Sequence, residues 1–298
     1  ICVHFTWPGA KPWYSEKSNL SKNAVEIANP VSDPHTAARQ LARLGKKLRG
    51  LMGYRPLAIP SSDTVQLLFF KFEKELRKYF DLYGYKDYSG FRFEVTHKGL
   101  FFDQLNDISS NLYPKTVLFS SDEQIKDLSY NAAFPCVLKP AVKDFSQMFY
   151  RLNNGKKALI LNDNEELKEK LQEFLKRDIP LIVQEYIPFE SVHDEVPFYC
   201  FFDDNGALQF AASGVKRLIQ PPKFGTAIVL ELASEPSLEA AAQQLGRAIS
   251  WSGPLMIEFI KHKETGDWKI IEVNTRPWLF HDFYRMCGLP FIGSAIVN

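Results

Sequence analysis

MIEFI (256–260) and IIEVN (270–274) are two apolar runs that each carry one glutamate, joined by KHKETGDWK (261–269). Glu264-Thr265-Gly266 fits a three-residue hairpin loop with glycine where positive φ is required. Lys263 and Asp267 then close the loop as a charge pair, and counting back in that register puts Glu258 opposite Glu272. Two carboxylates so placed repel and weaken a sheet by up to about 1 kcal/mol, a conflict that a divalent cation between them removes. Asn274 projects from the same strand face about 7 Å beyond Glu272. An oxygen-only set of two carboxylates and an amide suits magnesium, or manganese, completed by water and phosphate oxygens. Two plainer readings stay open. A turn shifted by one residue sends the two glutamates to opposite faces, and either could pair with a lysine on an exposed face.

The rest of the chain supplies room for such a site. Its 298 residues suit two or three packed domains or subdomains. Hydrophobic residues make up 45% and charged residues 24%, and 36 basic against 35 acidic residues leave a net charge of +1. That balance gives no composition-level reason to expect nucleic acid or an anionic membrane as a partner. No apolar run approaches the roughly 20 residues that span a bilayer, and no secretory leader is visible. The cysteines (Cys2, Cys136, Cys200, Cys287) form no CxxC pair. They are expected to be small core residues of a reduced, cytoplasmic protein. The chain opens on Ile1 in an apolar stretch, which reads as a fragment lacking its first element.

Three segments are expected. In 1–112 an apolar run (ICVHF) precedes a polar stretch at 7–33. Asp33-Pro34 then opens a helix to about Arg49. RPLAIP (55–60) reads as a strand, and Ser61–Asp63 caps a helix with Leu67, Leu68 and Phe72 on one face. A third helix follows Lys98, with Leu100, Phe101 and Leu105 inward. In 113–190, strands at 115–119, 134–139, 158–161 and 181–186 flank a helix capped by Ser121 and a charged helix at 162–176. In 191–298, strands at 197–202 and 207–213 are joined by the turn DDNG (203–206). A strand at 226–231, a helix at 236–250 and the two carboxylate strands follow.

Four pieces taken in order, FPCVLKP (134–140), VQEYIP (183–188), MIEFI and IIEVNTRP, resemble the ATP-grasp superfamily over roughly residues 95–290. RPLAIPSSD (55–63) and SGVKRLIQPPKFGT (213–226) look most like the branch containing D-aspartate ligase and carbamoyl-phosphate-synthase-like proteins. The resemblance implies a fold of mixed α/β and α+β type. An incomplete Rossmann-like α/β pre-ATP-grasp domain (1–112), without its first strand, would precede two α+β subdomains (113–190 and 191–298) that clasp ATP.

The resemblance also implies roles. Lys139 and Lys98 would contact ATP phosphates. The backbone of Gln184, Glu185, Tyr186 and Ile187 would meet adenine, with Asp194 or Glu195 as candidates for the ribose hydroxyls. Glu258, Glu272 and Asn274 would hold Mg2+ or Mn2+, and Arg276 and Lys216 would face phosphate or a substrate carboxylate. Each has a plainer alternative, such as a lysine snorkelling from a sheet edge. Where relatives carry a small-residue loop over the triphosphate, this chain has AVKDFSQMFYRLNNGKK (141–157), bulky until Gly155, with Ser146 able to donate to phosphate.

The implied activity is ATP- and magnesium-dependent carboxylate–amine ligation through an acyl phosphate. It needs small-molecule acid and amine substrates, no nucleic acid and no membrane, and it is compatible with a homodimer. Two alternatives differ in class: a nucleotide-binding module without turnover, and a bicarbonate-activating enzyme. No HExxH, GxxxxGK[ST] or GxSxG motif is present, so zinc hydrolysis, a P-loop and a serine nucleophile have no support.

Overall fold

A proline directly after an aspartate fixes where the first long helix begins. In the computed structural model, which describes residues 2–8, 21–82, 97–106, 111–126, 133–142, 146–220 and 225–297, helix α1 (Pro34–Met52) starts where Asp33 accepts from the Thr36 N–H at 3.1 Å. It ends at Gly53, whose φ of 77° is the left-handed cap that glycine adopts without strain.

The chain divides into two compact units, 1–83 and 84–298. In the first, the strands β1 (Cys2–Thr6) and β2 (Ser21–Glu26) pair in parallel. Strand β2 lies inside a stretch that reads as polar, because only Ala24 and Val25 mark it. The expected strand at 55–60 shrinks to β3 (Leu57–Ala58), hemmed in by Pro56 and Pro60, which lack a ladder N–H. Helices α2 (Asp63–Lys71) and α3 (Glu73–Leu76) lead to β4 (Asp81–Leu82), which pairs with β3. Ala37, Ala38 and Leu41 of α1 pack with Val65, Leu68 and Phe69 of α2 in this unit's core.

The second unit begins with α4 (Lys98–Asn106), a stretch expected to belong with the first segment. Its Phe101, Phe102 and Leu105 pack in a core with Phe198 and Phe259, while Leu100, expected inward, is exposed. Next come β5 (Thr116–Phe119), α5 (Glu123–Lys126), β6 (Cys136–Pro140), α6 (Ser146–Leu152), β7 (Leu159–Leu161), α7 (Asn164–Leu175) and β8 (Leu181–Glu185). These strands form an antiparallel sheet in the order β5-β8-β6-β7. Leu167, Leu171 and Phe174 of α7 pack in one core with Leu138, Leu181 and Val183 of the sheet.

A five-stranded antiparallel sheet follows in the order β11-β10-β9-β12-β13. Its strands are β9 (Glu195–Phe202), β10 (Leu208–Gln220), β11 (Thr226–Ala233), β12 (Gly253–Lys261) and β13 (Trp268–Asn274). Strand β10 runs seven residues past the expected end at Ser213, because β11 pairs with its polar stretch over 213–220 while the pairing with β9 ends at Ser213. Helix α8 (Glu239–Ala248) covers one face, where Gly246 lets Phe202 approach; a Cβ there would stand 2.4 Å from its ring. Helices α9 (His281–Met286) and α10 (Phe291–Val297) contribute Tyr284 and Phe291 to a core with Tyr199, Met256 and Trp278.

The carboxylate hairpin reaches its expected register by another route. The His262 N–H donates to Asp267 O and the Gly266 N–H to His262 O, both at 2.8 Å, which closes a four-residue loop at 263–266. Lys263 therefore does not face Asp267; its N–H donates to Pro188 O at 2.8 Å. That one-residue difference is absorbed by a bulge at Ile271: Phe259 faces Ile270, then Glu258 faces Glu272 and Met256 faces Asn274.

No helix among the described residues is long and apolar enough to cross a membrane. Cys136 and Cys200 are buried free thiols, whereas Cys287, expected in the core, is exposed because it follows α9 at the surface.

Candidate active site

Strand alternation brings charged side chains together on one face of the five-stranded sheet. Glu195, Pro197 and Tyr199 of β9 alternate with Val196, Phe198 and Cys200, which point into the α8 core. Lys216 and Arg217 separate in the same way. Lys216 is buried at 3% exposure, while Arg217 is exposed and pairs with Glu231 at 2.5 Å.

A cavity of about 830 Å³ lies on this face and against β6 and β8. Thirteen of the fourteen candidate residues read from the sequence line it: Lys98, Lys139, Ser146, Gln184, Glu185, Tyr186, Ile187, Glu195, Lys216, Glu258, Glu272, Asn274 and Arg276, but not Asp194.

The middle of the cavity holds three lysines and three glutamates. Lys216 Nζ donates to Glu258 Oε2 at 3.0 Å and to Glu195 Oε1. Burial works against the Lys216 charge, but Glu258 and Glu195 outweigh it and hold the ammonium above its ordinary range. Burial and then the Glu258 charge push Glu195 up to about 7. Lys98 Nζ lies 3.3 Å from Glu272 Oε1, and its backbone N–H ties the start of α4 to Ala141 O at 2.8 Å. Lys139 Nζ donates to Gln184 Oε1 at 2.7 Å. Burial first, and then the neighbouring Lys98 charge, depress Lys139 to about 7 against the pull of Glu272, Glu258 and Glu195.

Several of the expected roles change. The buried Gln184 amide bridges Lys139 and Thr116, donating to Thr116 Oγ1 at 2.8 Å. Its backbone lies mid-strand between β5 and β6, so it is not placed to meet a base. Glu185 is engaged twice by Lys115, through its N–H (2.8 Å to Lys115 O) and its carboxylate (3.1 Å from Lys115 N). Among the described residues, no backbone hydrogen bond engages Tyr186 or Ile187. Glu195 lines the cavity and accepts from Lys216 Nζ. Asp194 accepts from the Glu190 and Ser191 N–H groups at 2.8 and 2.9 Å as a capping residue.

The middle of the bulky stretch at 141–157 is helix α6 (Ser146–Leu152). Phe149 is fully buried and stacks on Phe174 at 4.6 Å, so its bulk serves the core and leaves Ser146 at the cavity. Lys157, which the sequence reading missed, also lines the cavity and donates to Thr226 Oγ1 at 2.7 Å. Also missed were the apolar ends, Ile260 and Phe189 at one and Tyr199, Met256, Trp278, Leu279 and Phe280 at the other. Met256 and Ile260 lie two residues either side of Glu258, a period-2 signal that was available.

For a metal, the donor set fits. Among the described residues no cluster of three or more His, Cys, Asp or Glu could hold a metal ion. Glu258 and Glu272 are cross-strand partners, and the buried Asn274 follows on the same strand. Two carboxylates and one amide leave coordination positions for water and phosphate oxygens, as hard divalent cations require.

No protein-family model and no curated protein matches the sequence. Solved structures do. An ADP complex of N5-carboxyaminoimidazole ribonucleotide synthetase superposes with TM-score 0.64 at 14% identity, over 95% of this chain and 66% of that one. Biotin carboxylase of Campylobacter jejuni with β-γ-ATP gives 0.68 at 13%, over 99% and 64%. The D-alanine–D-alanine ligase of Bacillus anthracis complexed with ATP gives 0.63 at 14%, over 99% and 95%. The chain has the ATP-grasp fold. In its ATP-grasp fold here, the four-stranded sheet brings Lys139 and the 184–187 linker, and the five-stranded sheet brings the opposed carboxylates. The chain spans 66% and 64% of the first two of these structures, and at this identity the likeness carries the fold alone.

Proposed function

We propose that the protein binds ATP with Mg2+ in this cavity and uses it to join a carboxylate to an amine through an acyl phosphate. The observation that carries the reading is the opposition of Glu258 and Glu272 across a bulged hairpin, beside Lys98, Lys139 and Lys216, in a cavity whose linker end is apolar. Nucleotides in the matched D-alanine–D-alanine ligase and biotin carboxylase support it.

Glu258, Glu272 and Asn274 would hold the cation, which supplies positive charge to phosphate oxygens. Lys139 and Lys98 add fixed charge in a partly desolvated setting. Tyr186 and Ile187 offer backbone groups and apolar area to the base. In the reaction, a carboxylate oxygen of the acid bonds to the γ-phosphorus as the bond to ADP breaks. The amine nitrogen then bonds to the acyl carbon, phosphate leaves with the bonding pair, and the amine gives up a proton. Arg276 is suited to orient the acid, since its planar fork matches a carboxylate. No side-chain nucleophile is needed. Small-molecule substrates and a cytoplasmic setting belong to the same reading.

The test is ADP release with Mg-ATP in the presence of pooled amino acids and amines, repeated for Glu272→Gln. Magnesium-dependent turnover should fall at least ~100-fold in the variant, with the melting temperature little changed. Tight ATP binding without ADP from any acid–amine pool overturns the reading in favour of a binding module.

A further inference from the structure

The cavity has two apolar ends, and only one of them lies next to the linker. Along β12 the residues facing the cavity are Ile260, Glu258 and Met256, about 7 Å apart in turn. The Ile260 end is tied to the linker by the Lys263 N–H on Pro188 O and lies with Tyr186, Ile187 and Phe189. At the other end Met256 is the cross-strand partner of Tyr199 and of Asn274. There Tyr199, Trp278, Leu279 and Phe280 complete an aromatic wall.

That wall is braced from behind. The Tyr199 ring lies 4.9 Å from Trp278 and 4.3 Å from Tyr284, and Trp278 lies 5.4 Å from Phe291. Gly214 makes room for it, since a Cβ there would stand 2.9 Å from Tyr284 Oη. At the mouth, Leu279 lines the cavity yet is 72% exposed, an apolar surface that a bound molecule would cover. The charged groups are unevenly spread. Glu195, Glu258 and Glu272 all belong to the middle of the cavity. Arg276 is the one cation that the chain places within two residues of Trp278.

Resting on the ligase reading above, we propose that the acid substrate carries one carboxylate and an uncharged apolar side chain of phenyl or branched-alkyl size. Its carboxylate lies toward Arg276 and the central charges, and its side chain lies against Tyr199, Met256, Trp278 and Leu279. Among the described lining residues, a second carboxylate on the substrate would find Arg276 as the cation of this segment, and an ammonium would find only Glu258, whose charge reaches Tyr199 from the middle of the cavity. An apolar side chain instead gains the burial of its surface, worth roughly 10–100-fold in affinity.

The experiment measures ADP release with Mg-ATP for L- and D-phenylalanine, L- and D-leucine, and 3-phenylpropanoate. Glycine, aspartate and lysine are compared with them, all with one fixed amine pool. The phenyl and leucyl acids should give kcat/KM at least ~10-fold above the small and charged acids. Leu279→Glu, at an exposed position, should raise their KM about 10-fold or more while the Kd for Mg-ADP stays unchanged. Higher kcat/KM for glycine, aspartate or lysine overturns this substrate class and leaves the ligase reading standing. So does a Leu279→Glu variant with unchanged KM, or a side-chain preference carried by the amine alone. ADP release from no acid, with Mg-ADP still bound, overturns both.

Discussion

The two faces of the five-stranded sheet are made by the same strands and differ in almost everything else. On β9, Val196, Phe198 and Cys200 enter a core under α8, while Glu195, Pro197 and Tyr199 border the cavity. On β12, Leu255, Ile257 and Phe259 alternate with Met256, Glu258 and Ile260 in the same way. A period of two thus separates side chains that hold the sheet from side chains that can do chemistry on it. The core face tolerates no charge. The cavity face carries Lys216 and three glutamates: Lys216 meets Glu195 and Glu258, and Lys98 of α4 meets Glu272.

Changes on the two faces should therefore fail differently. The largest effect is expected from Phe198→Ala, which removes a fully buried ring packed edge-on to Phe259 at 6.0 Å. It should cost about 3–5 kcal/mol of stability in denaturant melts, with the ATP Kd of the folded fraction unchanged. A large change in Kd at equal folded fraction would show that the faces are not separable.

Next is Lys216→Met, which leaves Glu195 and Glu258 facing each other without their shared cation. About 2–4 kcal/mol should be lost at pH 8, and less at pH 6. The sign follows from Glu195, whose carboxyl already stands near 7. A carboxyl raised in the folded state destabilises the fold as pH climbs from its unfolded value toward the folded one, and losing Lys216 raises it further. Equal losses at both pH values would contradict this.

Smaller is the effect expected of Lys139→Arg on the pH dependence of ATP binding. With Lys139 near 7 in the nucleotide-free protein, phosphate oxygens favour its charged form. Binding at pH 8 should then take up a proton, and the Kd should weaken by up to about tenfold per pH unit above 7. An arginine stays charged throughout, so the variant should show a flat profile in calorimetry. The smallest effect is Gly214→Ala, about 1 kcal/mol, because a Cβ would meet only the ends of Leu230 and Tyr284 at 2.8 and 2.9 Å. A loss above about 3 kcal/mol in melts would mean that the aromatic wall cannot shift.

Much of the site was legible because its chemistry sits at fixed spacing on strands. Glu258, Glu272 and Asn274 follow from alternation and a turn, and Lys139 from its place at the end of an apolar strand. The hairpin shows how far such counting reaches. The expected three-residue loop is a four-residue one, and the bulge at Ile271 restores the pairing of Glu258 with Glu272. Nothing in KETG or IIEV announces either departure, since a bulge is set by what the bent strand packs against. Helix α6 was hidden for a related reason. Its Phe149 looks like an obstruction in a phosphate loop until Phe174, twenty-five residues on, is seen to stack on it.

By itself the sequence determined the alternation of the strands, the capped helix α1, the order of the four motifs and most of the residues that meet at the cavity. These depend on local backbone preference and on periods of two and 3.6, which a chain carries wherever it goes. Tertiary structure alone decided that the Gln184 amide bridges Lys139 and Thr116, that Glu195 pairs with Lys216, and that Trp278 and Leu279 form an apolar end. Those outcomes depend on which distant side chains share a low-dielectric space, where pairing and burial fix each group's partner and charge.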